Sequence, residues 1–157
     1  MAGFAHDPFA LCNDATAQRA TGQLFTDEST GYVYRYVQFK DAVTYAAGQI
    51  VCWKVGTGLT SVTNDVSLAV GVIPAGICLR VMTADYYGFI LVKGYYATLK
   101  TSGADDIAIG ESLIAHATTD GTCDGVAANA TTTASFGVAL TVDDDTANTV
   151  SGTVNLV

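Results

Sequence analysis

The feature that most constrains this chain is a pattern of short apolar strands that occurs twice. Ala46-Ala47-Gly48-Gln49-Ile50-Val51-Cys52-Trp53 leads to Leu68-Ala69-Val70-Gly71-Val72-Ile73, and Ala108-Ile109-Gly110-Glu111-Ser112-Leu113-Ile114-Ala115 leads to Ser135-Phe136-Gly137-Val138-Ala139-Leu140. In each copy a glycine and a polar residue open an apolar strand, a Gly/Thr-rich turn follows, and an aliphatic or aromatic residue before Gly-Val closes the unit. Gly48 and Gly110 fall at the turn before a strand, where glycine alone reaches positive φ without steric cost. Gly71 and Gly137 lie inside strand patterns and mark a bulge or a close approach of two backbones. Two copies that bend alike predict pseudo-equivalent halves. With no catalytic residues between the strands, such a scaffold acts through its surfaces.

The rest of the chain from Gly31 onward reads the same way. Tyr32, Tyr34 and Tyr36 alternate with Val33, Arg35 and Val37, so β-branched and aromatic residues dominate a strand with an aromatic face. Further strands are expected at Ile50–Val55, Val66–Ile73, Ile77–Met82, Gly88–Lys93, Tyr95–Lys100, Ser112–Ala117, Ser135–Val142 and Val150–Val157. Between them stand Gly56-Thr57-Gly58, read as a hairpin, Pro74-Ala75-Gly76, Thr101-Ser102-Gly103, Asp120-Gly121 and Asp143-Asp144-Asp145, all turn chemistry. About nine short strands without an amphipathic helix predict an all-β fold, a single β-barrel or sandwich.

Residues 1–30 differ. They hold no sustained period and scatter Phe4, Phe9, Leu11, Leu24 and Phe25 among Asn, Asp, Thr, Gly and Ser. The expectation is an extended N-terminal arm over 1–30, with a short helix around Asp14–Ala20, ahead of a β-barrel domain over 31–157. The five apolar residues are candidate anchors, each worth about 1.5–3 kcal/mol if fully buried. They fit equally an arm draped over a neighbour and one folded back on its own barrel. Tyr86-Tyr87 and Tyr95-Tyr96 flank a strand so that one of each pair takes either face; Tyr86 and Tyr96 join the interface candidates, because a rigid ring is buried at low entropic cost while its hydroxyl finds a partner.

Composition excludes several classes. Only 14% of the 157 residues are charged while half are apolar, so much of the surface is Thr, Ser, Gly and Ala or is covered by other subunits. The net charge of -8 is uneven: residues 101–157 carry every excess acid and no Lys or Arg. An acidic half repels phosphate, so neither nucleic acid nor an anionic membrane surface is expected as a partner. The most apolar uncharged run, Val66–Leu79, is broken by Gly71, Pro74 and Gly76 and is too short to span a bilayer. The opening residues lack the basic and apolar regions of a secretion signal, so synthesis in a cytoplasm with Cys12, Cys52, Cys78 and Cys123 reduced is expected.

No site chemistry emerges. The cysteines form no Cys-x-x-Cys pair and no histidine stands at zinc-ligand spacing. His116 lies near Thr118 and Asp120 without any nucleophile signature, and reads as a surface histidine. Asp120-Gly121-Thr122-Cys123-Asp124-Gly125 and Asp143-Asp144-Asp145 do not follow the EF-hand spacing and read as solvated turns. Gly56-Thr57-Gly58 lacks the lysine and helix of a phosphate loop. The expectation is no catalytic residue, no metal and no cofactor. Asn129-Ala130-Thr131 matches a glycosylation acceptor, relevant only to a secreted eukaryotic protein.

From Ala42 onward the order Ala47-Gly48-Gln49-Ile50-Val51, Val70-Gly71-Val72, Tyr87-Gly88-Phe89-Ile90-Leu91-Val92-Lys93-Gly94, Ile109-Gly110-Glu111-Ser112-Leu113, Phe136-Gly137-Val138-Ala139-Leu140 and Val154-Asn155-Leu156-Val157 resembles the head decoration, or cement, proteins of tailed bacteriophages. The resemblance covers about two-thirds of the chain and excludes the arm and the Tyr32 strand; its specificity lies in order and spacing. It implies a β-barrel subunit, commonly a homotrimer, bound to the outer surface of a phage capsid and bridging copies of the major capsid protein. Another virion or surface β-module, such as a fibre, spike or adhesin domain, is the second reading, and an enzyme or small-molecule carrier the third.

Overall fold

The computed structural model describes residues 13–41, 44–103, 106–127, 134–143 and 148–157. Among the described residues ten strands form: β1 (Leu24–Thr26), β2 (Val33–Phe39), β3 (Ile50–Lys54), β4 (Ser61–Thr63), β5 (Ala69–Cys78), β6 (Tyr87–Lys100), β7 (Ser112–Ala115), β8 (Cys123–Val126), β9 (Gly137–Ala139) and β10 (Thr149–Asn155). They make one sheet in the order β1-β2-β4-β3-β5-β6-β10-β9-β7-β8, and a further β2–β6 pairing closes β2-β4-β3-β5-β6 into a five-strand barrel. The all-β expectation holds.

Several boundaries differ, each for a local reason. Pro74-Ala75-Gly76, expected as a turn, lies inside β5. The β3–β5 ladder shifts register on both sides of Cys52, Pro74's partner, and a proline is tolerated in a strand at such an irregularity. The expected strand from Val66 begins instead with a 3-10 turn at Val66–Leu68, capped by the Asp65 side chain accepting from the Ser67 N–H. Gly88–Lys93 and Tyr95–Lys100 are one strand, because Gly94 at φ +143 bends β6 without ending it; a Cβ there would strike the Tyr32 ring. No helix forms at Asp14–Ala20, where Asp14 bridges to Tyr87 instead. Seven residues with no helix-period stripe give too little to repay helix nucleation.

The duplication extends to individual hydrogen bonds. The Ala46 N–H donates to Gln49 Oε1 at 2.8 Å, as the Ala108 N–H does to Glu111 Oε2 at 2.9 Å. Gly48 (φ +83) and Gly110 (φ +88) follow in the same turn. The Gly48 N–H donates to the Cys78 carbonyl at 2.8 Å and the Gly110 N–H to that of Ala139 at 2.9 Å. Val51 then pairs with Gly76 as Leu113 does with Gly137, and Cys52 pairs with Thr63 as Ile114 does with Asp124. Cys78 pairs with Ile90 as Ala139 does with Gly152. These registers correct one expectation: the counterpart of Gly137-Val138-Ala139-Leu140 is Gly76-Ile77-Cys78-Leu79, not the segment around Gly71. A shared steric need explains the match, since a Cβ on Gly76 would meet the Leu91 carbonyl oxygen and one on Gly137 that of Thr153.

The chain is therefore two tandem repeats of one five-strand plan. The first uses β2, β3, β4, β5 and the start of β6, and the second the end of β6, β7, β8, β9 and β10. β2 closes on β4 in parallel through Gln38–Ser61 and Phe39–Val62, whereas the end of β6 closes on β8 through the single parallel bridge Thr101–Cys123. Composition accounts for the looser second closure. Phe39, Tyr45, Val62 and Met82 are fully buried, with the Phe39 and Tyr45 rings edge-on at 4.9 Å. Their counterparts are Thr101, Ile107, Cys123 and Asp143, which are smaller or polar. Among the described residues, the Thr101 hydroxyl and both Asp143 carboxylate oxygens are buried without a hydrogen-bond partner. One apolar core nonetheless runs through both repeats.

Candidate interaction surfaces

The groups that catalysis would need are engaged in holding turns. His116 Nδ1 accepts from the Thr118 and Thr119 N–H groups at 3.1 and 2.9 Å, tying down the β7–β8 turn, so that lone pair is unavailable as a base. Asp120 Oδ1 accepts from the Val66 N–H at 3.0 Å. Cys52, Cys78 and Cys123 are buried, and the Cys78 thiol donates to the Arg80 carbonyl at 2.9 Å. Burial pushes the Cys52 and Cys123 thiols up to about 12, which leaves them protonated and unreactive at neutral pH. Among the described residues no three His, Cys, Asp or Glu side chains gather to hold a metal ion, and no helix is long and apolar enough to cross a membrane. Asp144, Asp145 and Asn129 lie outside the described residues.

The interface candidates are distributed as follows. Phe4, Phe9 and Leu11 fall outside the described residues. Leu24 and Phe25 sit on β1, which pairs antiparallel with β2 so that alternate side chains face opposite ways. Leu24 is exposed, while Phe25 turns inward, edge-on to Phe89 at 5.1 Å and covered by the Arg19 guanidinium at 4.7 Å. The described part of the 1–30 segment thus packs on the first barrel: the Gln18 N–H donates to the Tyr36 hydroxyl, and Asp14 exchanges two backbone hydrogen bonds with Tyr87. Tyr86 is half-buried, its carbonyl accepting from the Phe39 N–H at 2.8 Å. Tyr96 is half-buried too, its ring packed beside Gly48, and burial raises its hydroxyl. Tyr95 is the more exposed of that pair.

The surface that sequence reasoning missed is the outer face of the second repeat. Ile109, Val138, Leu140 and Val142 are all exposed, around the β9 strand and the turn that pairs with it. In the first repeat the counterparts of Val138 and Leu140, namely Ile77 and Leu79, are 0% and 8% exposed, against 40% and 46%. The alternation of Val138 and Leu140 with Gly137 and Ala139 was the available signal, because one of the two faces carries only small residues. A second apolar group, Val55, Leu59 and Leu68, stands exposed at the β3–β4 turn and the 3-10 turn of the first repeat. Large exposed apolar side chains that recur on one face mark contact surfaces more than isolated ones do. Ion pairs join Lys40 with Asp85 and, next to Val55, Lys54 with Asp41.

No family model and no curated protein matches the chain. Among solved structures it is similar to the N base of the head fiber gp8.5 of bacteriophage phi29, at a TM-score of 0.53 and 14% identity, over 79% of this chain and 94% of that one. At that identity the likeness shows a common fold.

Proposed function

We propose that this chain is a non-catalytic structural module of a bacteriophage virion, used as the base of a head fibre or spike. The observation that carries the reading is the fold likeness to a phage head-fiber base, which spans nearly all of that base. The arrangement of this chain supports it. His116 and Asp120 are committed to turns, the described thiols are buried, and exposed apolar residues gather around β9 and at the β3–β4 turn, as a protein that works by contact requires. A base module of this kind is made in the host bacterial cytoplasm and ends on the outer surface of the capsid.

The finer reading, a decoration protein that bridges major capsid proteins as a homotrimer, shares the capsid as partner and differs in what is presented outward. A cement protein strengthens the shell; a fibre base carries something beyond it. Phe4, Phe9 and Leu11 supply capsid anchors in both cases. Several weak anchors acting together give firm attachment through effective concentration. The test is cosedimentation of purified protein with phage heads lacking it. The expected result is saturable binding that falls at least tenfold when Phe4, Phe9 and Leu11 are changed together to serine, with the melting temperature unchanged. Failure to bind any head, or turnover of a metabolite by the free protein, overturns the reading.

A further inference from the structure

We infer that the second repeat binds a calcium ion where its ring closes, held by the buried Asp143 carboxylate and the Thr101 hydroxyl. Asp143, which the sequence places in a solvated turn, is only 8% exposed, and both its carboxylate oxygens are buried without a hydrogen-bond partner among the described residues. The Thr101 side chain is 5% exposed and its hydroxyl is likewise buried and unpartnered. A buried carboxylate is costly to a fold unless a donor, a cation or a metal ion answers it. Residues 101–157 contain neither Lys nor Arg, and the ion pairs among the described residues, Lys40 with Asp85 and Lys54 with Asp41, do not involve Asp143. The compensating charge has to come from solution.

The repeat brings the two groups together. Their counterparts in the first ring, Phe39 and Met82, are fully buried with Tyr45 and Val62: Phe39 pairs with Val62, Tyr45 bridges Met82, and the Phe39 and Tyr45 rings meet edge-on. In the second ring Thr101 bridges Cys123, and the Asp143 N–H donates to the Ile107 carbonyl at 2.9 Å as the Met82 N–H does to that of Tyr45 at 3.1 Å. Burial first, and then the charge of Asp143, raises the Cys123 thiol, which sets the carboxylate beside it. The loops that carry the two oxygen donors are also tied to each other: the Thr101 N–H donates to the Asn148 carbonyl at 3.0 Å, and a Cβ on Gly103 would strike the Asn148 amide. A carboxylate and a hydroxyl are hard donors, suited to calcium or magnesium more than to zinc. Calcium is the better fit, because it accepts ligands from irregular loops, whereas magnesium demands near-octahedral geometry and keeps its water. Carbonyl oxygens and water fill the rest of its about six to eight positions. The ion does for the second ring, closed by the one bridge Thr101–Cys123, what Phe39 and Met82 do for the first by packing.

The test uses the full chain, stripped of metal by a chelator that is then removed, titrated with calcium chloride by calorimetry and followed by thermal melting. The expected result is saturable binding of one ion per chain, with a melting temperature raised by about 5–10 °C at a hundredfold excess of calcium over the Kd. Magnesium binds at least tenfold more weakly. Asp143→Asn abolishes the response and Thr101→Val weakens it at least tenfold, while Glu28→Gln, at an exposed acid of the first repeat, leaves it unchanged. Asp143→Met installs the first repeat's own residue, so that variant folds without the ion and melts at one temperature with or without calcium. No response in the parent chain, a response that survives in Asp143→Met, equal binding of magnesium, or tighter binding of zinc that is lost in Cys123→Ser overturns the inference. The measurement concerns the free chain, so its failure leaves attachment to phage heads to be judged separately.

Discussion

The closest quantitative contrast in the molecule is between alanine at Gly48 and alanine at Gly110. Both glycines adopt left-handed φ, +83 and +88, in turns with the same hydrogen bonds. Alanine costs about 1–2 kcal/mol at either from that conformation alone. At Gly110 the new methyl meets open space, so the cost stops there. At Gly48 it meets the Thr98 backbone carbonyl, which cannot rotate aside as a side chain would. Either the turn or β6 must shift, adding an overpacking cost of about 1–3 kcal/mol. Weakening the bond from the Lys100 N–H adds about 1 kcal/mol more. The expectation is a loss of about 1–2 kcal/mol for Gly110→Ala and about 3–6 kcal/mol for Gly48→Ala. Urea unfolding at a concentration where the chain is monomeric measures both, with slopes equal to the parent's. For a chain of this size each kcal/mol corresponds to about 2–4 °C in melting temperature. Equal losses at the two positions would refute the reasoning, since they would mean that the second repeat's surface is as covered as the first's.

Other consequences are open to simpler measurements. Backbone amides of β7 and β9 should exchange with solvent at least tenfold faster than those of β3 and β5, because the second ring closes through one bridge and buries Thr101 and Asp143 where the first buries Phe39 and Met82; hydrogen exchange read by mass spectrometry checks this, and equal protection would count against a looser second repeat. Cys52 and Cys123 should stay unmodified by a thiol reagent at pH 8 until the protein unfolds. Their folded values, raised to about 12 from 9.0, contribute stability that is complete below pH 9 and is lost as pH rises from 9 toward 12, so stability that rose with pH in that window would contradict the burial. Lys54→Met should cost about 1–3 kcal/mol, because it leaves the Asp41 carboxylate, with 11% of its side chain exposed, without its cation. Lys40→Met, whose partner Asp85 is well exposed, should leave the denaturation midpoint where it was.

The all-β class and the twofold repetition were legible in the sequence because each rests on strong local signals: the Tyr/Val alternation of β2, and a Gly-polar opening before Ile50-Val51 and again before Ser112-Leu113. The same signal gave the turn glycines, whose positive φ the structure bears out. What was hidden depended on partners distant in sequence. β4 and β8 are short and carry Ser, Thr, Asp and Gly, and their pairing with β3 and β7 makes them strands. Pro74 reads as a turn until the irregular β3–β5 ladder that admits it is known. The pairing of Gly137 with Gly71 rather than Gly76 followed from matching the local pair Gly-Val. Register against the neighbouring strand decides otherwise, because both Gly76 and Gly137 must pass a carbonyl where a Cβ cannot fit. For the surfaces, the apolar residues of β9 looked like any core-directed strand, and only the buried state of Ile77 and Leu79 reveals that Val138 and Leu140 lack a cover.

What we propose above is that this chain is a structural part of a phage particle. Electron cryomicroscopy of particles purified from cells that produce it alongside the rest of its phage tests that most directly. The account predicts density for paired five-strand rings on the outside of the head, with the second repeat's Ile109 and Leu140 face in contact with protein. Particles that assemble fully while this chain stays behind in the soluble fraction would contradict it.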